Sequence, residues 1–105
     1  MEITLQRLDD TGESGIAAET AEFPVADPEF VIGRADDCHL QLPSSFVSRH
    51  HCELIVDERE RSLRLRDLGS RNGTFVNDTI VEEECELKDG DKLTVGCIPF
   101  AIRIA

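Results

Sequence analysis

The sequence predicts an all-β domain, a sandwich or a barrel, built from about ten short strands. The clearest indication is the alternation of leucine and arginine over residues 62–66, which would turn the leucines towards a core and the arginines towards water. Dipeptides typical of tight turns, Asn77-Asp78 and Asp89-Gly90, separate other apolar runs. Because no segment has a convincing helical periodicity, we expect strands throughout.

A single domain spanning residues 1–105 is expected, because a chain of 105 residues can bury one core but not two. Hydrophobic residues make up 40% and charged residues 31%, a globular composition. The formal net charge of -11 argues against a nucleic-acid partner, since such partners are bound through basic side chains. The N terminus has no basic start and no long apolar segment, so we expect no signal peptide, no membrane contact and a cytoplasmic location.

The cysteines indicate a reduced protein. They are scattered along the chain without a Cys-x-x-Cys pair, at Cys38, Cys52, Cys85 and Cys97. Mostly buried thiols are therefore favoured over a framework of disulfides.

The first third of the chain begins with a predicted strand over residues 2–8, which has one apolar face. Residues 9–15 are acidic and rich in turn formers, which favours a surface loop. Residues 16–21 fit either a helical turn or the entry to a second strand. Phe23 and Val25 alternate around Pro24, a pattern that suits an edge strand.

The middle of the chain contains four predicted strands with short polar connections. A short apolar run ends at Gly33, a cleanly alternating run ends before Pro43, and a third run has a continuous apolar centre. The leucine and arginine alternation described above makes the fourth. These predicted strands cover residues 29–33, 38–42, 51–57 and 62–66.

The last third is predicted to contain two hairpins. Asn77-Asp78 tolerates the positive φ that a two-residue turn requires, and Asp89-Gly90 is a second signal of this kind. Between them, Glu82-Glu83-Glu84 interrupts the apolar pattern and is expected to be a solvated run. The predicted strands cover residues 74–76, 79–81, 92–95 and 98–104.

Polar loops follow or precede several of these strands and carry arginine. The stretch 67–77 contains Gly, Asn and Ser, which let a backbone turn sharply, and Arg71, whose planar guanidinium suits an oxyanion. Arg34 stands at the end of an apolar run that closes with Gly33, and Ser48-Arg49 stands just before the next strand. Together these loops indicate a site for a charged group.

Four fragments in this order and spacing resemble a forkhead-associated (FHA) domain, a module that binds phosphothreonine. They are Gly33-Arg34, Ser48-Arg49-His50-His51, Asn72-Gly73-Thr74-Phe75-Val76-Asn77 and the stretch 87–96, which begins Leu-Lys-Asp-Gly-Asp. The resemblance extends from about residue 30 to the C terminus. It implies a β-sandwich of about eleven short strands, with the binding site on loops at one end.

The resemblance also implies roles for individual residues. Arg34 and Ser48 would bind the phosphate, Arg49 and Arg71 would flank it, and Asn72 would hold the peptide backbone beside it. A second set would brace the loops without touching the ligand: Gly33, His51, Gly73 and Asn77. Independently of the resemblance, Asp36 and Asp37 are close to Arg34 in the chain, and we expect their negative charge to disfavour acidic peptides near the phosphothreonine.

The implied function is that of an adaptor that binds a protein containing phosphothreonine and acts downstream of a Ser/Thr protein kinase. Neither a cofactor nor a metal is expected. Catalysis is not expected, although Ser48, His51 and Asp67 are the residue types of a catalytic triad, because no Gly-x-Ser-x-Gly elbow is present. A metal site is not expected either, since the neighbours His50 and His51 would point to opposite faces of a strand. The remaining alternative is a module that binds a partner without phosphate, through a sheet face or an edge.

Overall fold

Eleven strands form two sheets in the computed structural model, which describes residues 1–8 and 21–105. No helix occurs in those residues, so none is available to cross a membrane. The strands are β1 Ile3–Arg7, β2 Glu22–Pro24, β3 Glu29–Gly33, β4 Leu40–Gln41, β5 Cys52–Asp57, β6 Ser62–Asp67, β7 Thr74–Val76, β8 Thr79–Ile80, β9 Glu84–Leu87, β10 Lys92–Val95 and β11 Ile98–Ile104. The predicted β-sandwich is confirmed.

One sheet has six strands in the order β2-β1-β11-β10-β7-β8, and the other has five in the order β4-β3-β5-β6-β9. All strand pairs are antiparallel except β3 and β4. The strands β7 and β8 join at a tight turn in which Asn77 has φ 50° and Asp78 has φ 67°, as predicted for this dipeptide.

The core lies between the two sheets and is filled from alternate positions of the strands. In β6, Leu63 and Leu65 are buried whereas Arg64 and Arg66 are exposed, which confirms the predicted alternation. The largest side chain that is fully buried belongs to Phe100 of β11. Each such side chain contributes about 1.5–3 kcal/mol through removal of its apolar surface from water.

One prediction for the C-terminal third is incomplete and another is wrong. Glu82, Glu83 and Glu84 are exposed, as expected of a solvated run, but Glu84 also begins β9, where it lies opposite Arg66 of β6. The turn at Asp89-Gly90 is not a hairpin, because β9 belongs to the five-stranded sheet and β10 to the six-stranded sheet. The chain therefore crosses between sheets at this turn.

Smaller differences concern the ends of predicted strands. The strand expected over residues 38–42 is reduced to β4, because the N–H of Cys38 donates to the carbonyl of Ala35 in a turn. The predicted edge strand around Pro24 is observed as β2, at the edge of its sheet. The predicted loop over 9–15, and nearly all of 16–21, lie outside the described residues. All four cysteines are free, as expected, but the prediction that most of them are buried is wrong: Cys52 is buried, Cys38 and Cys85 are half-buried, and Cys97 is exposed.

Candidate functional site

Three loops meet at one end of the sandwich: the β3–β4 loop (34–39), the β4–β5 loop (42–51) and the β6–β7 loop (68–73). Backbone hydrogen bonds join the first two. The N–H of Arg34 donates to the carbonyl of Ser48 at 2.9 Å, and the N–H of Ala35 donates to the carbonyl of Arg49 at 3.0 Å. The predicted residues of these two loops are thus held side by side by the backbone itself.

Gly33 permits this close approach. A Cβ atom at this position would lie 2.2 Å from the carbonyl oxygen of Arg49 and 2.9 Å from the sulfur of Cys38. Because the first of these atoms belongs to a backbone, it cannot yield as the tip of a flexible side chain does. Only glycine therefore lets the β4–β5 loop lie against the end of β3.

The Arg34 side chain is exposed but anchored at one point. Its Nε donates to the carbonyl oxygen of Val47 at 3.1 Å. None of the carboxylates in the described residues forms an ion pair with it. The anchored Nε leaves the two terminal nitrogens of the guanidinium, with four N–H donors, for an external acceptor.

Ser48 connects the β4–β5 loop to the β6–β7 loop. Its hydroxyl oxygen accepts a hydrogen bond from the backbone N–H of Arg71 at 3.0 Å. Since a serine hydroxyl can both accept and donate, its proton remains available to an acceptor that approaches the loops from solvent. Ser48 and Arg34 therefore offer donors to the same end of the sandwich.

His51 lies beneath these loops and is fully buried. Its Nδ1 accepts from the N–H of Ser48 at 3.0 Å, so its Nε2 carries the proton and donates to the carbonyl of Gly73 at 2.8 Å. One ring thus fixes the β4–β5 loop relative to the β6–β7 loop. Neither nitrogen is left to contact a ligand.

The β6–β7 loop is ordered from within by Asp67, the last residue of β6. Its carboxylate accepts from the N–H groups of Gly69 and Ser70 at 3.0 Å each, from the Ser70 hydroxyl at 2.6 Å and from the Thr74 hydroxyl at 2.7 Å. Burial acts to raise the pKa of Asp67, but the hydrogen bonds from Ser70, Thr74 and the backbone outweigh it and lower the pKa. The loop is built around an ionised carboxylate.

Asn72 lies at the tip of the β6–β7 loop and is exposed. Its side-chain Nδ2 donates to the carbonyl oxygen of Phe46 at 2.9 Å. The same carbonyl lies 2.5 Å from the position that a Cβ on Gly96 would take, and the N–H of Gly96 donates to the carbonyl of Gly73 at 3.1 Å. The turn between β10 and β11 thus supports the Asn72 loop from behind.

The family model described as FHA domain matches residues 30–96, which include all three loops. The chain belongs to the FHA domain family.

The FHA domain-containing protein FhaA of Mycobacterium tuberculosis is 33% identical to this chain over 97% of the chain, which spans only 17% of FhaA. A solved FHA domain from a study of phosphothreonine-dependent FHA domain interactions is 30% identical, with a TM-score of 0.82 over 100% of this chain and 98% of that one. Mycobacterium tuberculosis EmbR, solved with a low-affinity phosphopeptide, is 25% identical, with a TM-score of 0.83 over 99% of this chain and 24% of EmbR.

Most of the predicted site residues of this FHA domain lie at the loop end. Arg49 and Arg71 are exposed there, and no described carboxylate pairs with either of them. Asn77 lies elsewhere, at the opposite end of β7 from Gly73. There its Nδ2 donates to the Asp91 carboxylate and its Oδ1 accepts from the Lys92 N–H, at 3.0 Å each. It holds the β7–β8 turn to the start of β10.

The triad suggested by residue types does not form. The two nitrogens of His51 are bonded to backbone groups of Ser48 and Gly73, and the Asp67 carboxylate is bonded within its own loop. Nothing in this arrangement would take the proton of the Ser48 hydroxyl. Ser48, His51 and Asp67 therefore do not form a catalytic triad.

Sequence reasoning missed the residues that support the loops from within. Asp67 and Ser70 are three positions apart, the spacing at which a carboxylate accepts from a turn that follows it, so this signal was present. Thr74 had been assigned to a motif and to a strand, but its hydrogen bond to Asp67 had not been predicted. The contact of Asn72 with the backbone of Phe46 had no signal, because it depends on how the two loops meet.

Proposed function

We propose that this FHA domain binds phosphothreonine within peptides of a partner protein and catalyses no reaction. The solved relative described above comes from a study of phosphothreonine-dependent FHA domain interactions, and the chain is 30% identical to it over its whole length. Family membership supports a binding module. The local geometry supports phosphate as the group that is bound.

The observation that carries this proposal is the state of Arg34. Its guanidinium is anchored by Val47, lacks a carboxylate partner among the described residues and lies in a loop bonded to that of Ser48. A phosphothreonine carries almost two negative charges and strong acceptor oxygens. Arg34 would supply charge-assisted hydrogen bonds to these oxygens, and Ser48 its hydroxyl proton.

Three further residues complete the proposed site. Arg49 and Arg71 would flank the phosphate and attract it, which matters in a chain whose net charge is -11. Asn72 would hold the peptide backbone, because its amide oxygen and second N–H are an acceptor and a donor of the kind that a peptide group needs. Gly33, His51 and Gly73 would brace these groups without contacting the peptide.

In the cell, this domain would act as an adaptor downstream of a Ser/Thr protein kinase. We propose that residues 1–105 form one FHA domain, located in the cytoplasm, that joins a phosphorylated protein to whatever the domain is linked to. Neither nucleic acid nor membrane would be a partner, since an acidic protein surface repels the phosphates of nucleic acids and of lipid headgroups.

Calorimetry with a pool of phosphothreonine peptides tests this proposal. We expect micromolar binding, about -8 kcal/mol, for this pool and much weaker binding for unphosphorylated peptides. Arg34→Ala should abolish the binding. Arg59→Ala, which removes the same charge from an exposed turn between β5 and β6, should leave it intact. Equal binding of phosphorylated and unphosphorylated pools would contradict the proposal.

A second candidate function, binding without phosphate, is favoured by a groove between β8 and β9, which are edge strands of the two sheets. The groove has a volume of about 880 Å³, and its apolar lining includes Val76, Val81 and the exposed Ile80. Four glutamates also line it: Glu82, Glu83, Glu84 and Glu86. By charge complementarity, it would take an extended segment with lysine or arginine around one apolar side chain.

This second candidate is distinguished by the peptide that binds. Unphosphorylated peptides rich in lysine and arginine would bind the wild type and Arg34→Ala equally, and Ile80→Ser would weaken them. Peptide binding that depends on Arg34 and not on Ile80 would exclude the groove.

A further inference from the structure

Three potential metal ligands from two different loops meet beside the proposed phosphate site. Asp37 and Cys38 belong to the β3–β4 loop, and His50 belongs to the β4–β5 loop. The carboxylate, sulfur and ring nitrogen of these residues all lie within 4.8 Å of one another. We refer to them as the Asp37–Cys38–His50 cluster.

The cluster already has internal contacts. Nε2 of His50 lies 2.9 Å from one carboxylate oxygen of Asp37 and 3.1 Å from the other. The thiol of Cys38 donates to the carbonyl of Arg49 at 3.2 Å and lies against Gly33. The side chains of His50 and Asp37 are 49% and 68% exposed, so both can move and an ion can reach them from solvent.

We propose that the Asp37–Cys38–His50 cluster binds one Zn²⁺ ion, with its fourth coordination position open to water. Thiolate, imidazole and carboxylate are the ligands that Zn²⁺ takes in proteins, and three of them with an open position is a common set. A thiolate disfavours Mg²⁺ and Ca²⁺, which take oxygen ligands.

The geometry requires only a small rearrangement. Zinc bonds of about 2.3 Å to sulfur and about 2.0 Å to nitrogen place tetrahedral ligand atoms about 3.5 Å apart. Because no two cluster atoms are more than 4.8 Å apart, the sulfur has to approach the other two by at most about 1.3 Å, whereas the His50 nitrogen and the Asp37 oxygen, 2.9 Å apart, have to separate slightly. As the zinc bonds form, the thiol proton of Cys38 passes to solvent and its hydrogen bond to the Arg49 carbonyl is broken. The hydrogen bond between His50 and Asp37 is broken as well, and the proton of the neutral imidazole occupies the ring nitrogen that does not bind zinc.

A second histidine and carboxylate pair provides an internal comparison. Nε2 of His39 lies 3.5 Å from the carboxylate of Asp27, but its Nδ1 accepts from the Val31 N–H and its ring stacks on Phe30. Among the described residues, no cysteine lies close enough to His39 and Asp27 to form a group of three potential ligands with them. We therefore expect no zinc binding there.

The sequence argument against a metal concerned the neighbours His50 and His51, which would point to opposite faces of a strand. His51 is buried, with both ring nitrogens bonded to the backbone. His50 instead finds its partners across the loops, at Asp37 and Cys38. An ion at the cluster would connect the β3–β4 loop to the β4–β5 loop. Binding of the ion would not require a phosphopeptide.

Cobalt titration with a reductant that lacks thiols tests the sulfur ligand. Co²⁺ bound in place of Zn²⁺ should give a thiolate-to-cobalt charge-transfer absorption that saturates at one equivalent. Cys38→Ser should abolish the absorption, and Cys97→Ser, which removes an exposed cysteine outside the cluster, should retain it. No absorption in the wild type, or absorption that persists in Cys38→Ser, would overturn the proposal.

Zinc calorimetry tests the other two ligands. His50→Ala and Asp37→Asn should each weaken Zn²⁺ binding by more than about tenfold, the loss that follows removal of even an outer-shell partner. The matched variants His39→Ala and Asp27→Asn should bind as the wild type does. Zinc should also raise the unfolding midpoint of the wild type but not of His50→Ala. Equal losses in the two pairs of variants would contradict the assigned cluster.

Discussion

Two groups of arginines in this FHA domain are in opposite electrostatic states. On the outer face of the five-stranded sheet, Arg64 is hydrogen-bonded to Glu84, and Arg66 lies 3.8 Å from Glu53 and 3.9 Å from Glu84. At the loop end, Arg34, Arg49 and Arg71 have no carboxylate partner among the described residues.

The loop end differs in the grouping of its arginines, since other arginines that lack a carboxylate partner among the described residues lie outside the three loops, at Arg7, Arg59, Arg61 and Arg103. The chain has 22 acidic and 11 basic side chains, so an unpaired arginine is not the consequence of a shortage of carboxylates. On the sheet, strand register places glutamates opposite arginines. At the loops, Arg34 is held instead by the Val47 carbonyl, which leaves its charge available to a ligand.

The largest expected effect is that of His51→Ala, which removes the support common to two loops. It leaves the N–H of Ser48 without its acceptor, removes one of the two donors to the carbonyl of Gly73, and opens a cavity. We expect a loss of about 4 kcal/mol in the free energy of unfolding, measured by urea denaturation. A loss no larger than that of a surface substitution would show that the loops are held independently of His51.

Gly33→Ala should have the next largest effect, because its Cβ would collide with the carbonyl of Arg49. Overpacking of this kind costs about 1–3 kcal/mol, and the displaced loops should also lose peptide affinity. Gly69→Ala is the matched control. Gly69 has φ +77°, but its Cβ would have no neighbour within 4 Å, so it should cost stability through backbone strain alone and retain binding better. Equal affinity in the two variants would argue against the close approach.

Asp67→Asn should destabilise the β6–β7 loop by about 1–3 kcal/mol, since it loses charged acceptors for Ser70 and Thr74. The pKa of Asp67 is lower in the folded state than its ordinary value of 3.8, so the unfolded chain binds the proton first as pH falls. Its contribution is complete above the unfolded pKa and is lost as pH falls through the folded pKa. Urea unfolding across acidic pH should therefore show a steeper decline for the wild type than for Asp67→Asn.

The smallest effect is expected for Arg64→Ala on the sheet face. The hydrogen bond from Arg64 lowers the pKa of Glu84, but the pair is exposed and water screens it. Urea unfolding should show a smaller change than for any variant above, and peptide affinity should be unchanged. A marked loss of peptide affinity would show that the two regions are coupled.

The sequence predicted those parts of the fold where a single strand carries its own signal. Ser62–Asp67 alternates leucine and arginine, and Asn77-Asp78 takes the positive φ expected of a tight turn. β9 was missed because its exposed face is glutamate, which resembles a solvated run until the arginines of β6 are aligned opposite it. That pairing is a property of register, and no local pattern reports it.

The same distinction applies to the site. Motif spacing predicted the family, and it predicted the loops that meet at one end of the sandwich. The roles assigned to Arg34, Ser48 and Asn72 remain predictions. The contact of Asn72 with Phe46 and the meeting of Asp37, Cys38 and His50 arise only when loops distant in sequence are folded together.

The most direct test of the difference between the two regions follows the phosphate itself. The phosphorus NMR resonance of a phosphothreonine peptide would be recorded during titration with the wild type, Arg34→Ala and Arg64→Ala. The resonance should shift with the wild type and with Arg64→Ala, and stay at its free position with Arg34→Ala. An equal shift with Arg34→Ala would contradict the claim that Arg34, at the loop end, binds the phosphate.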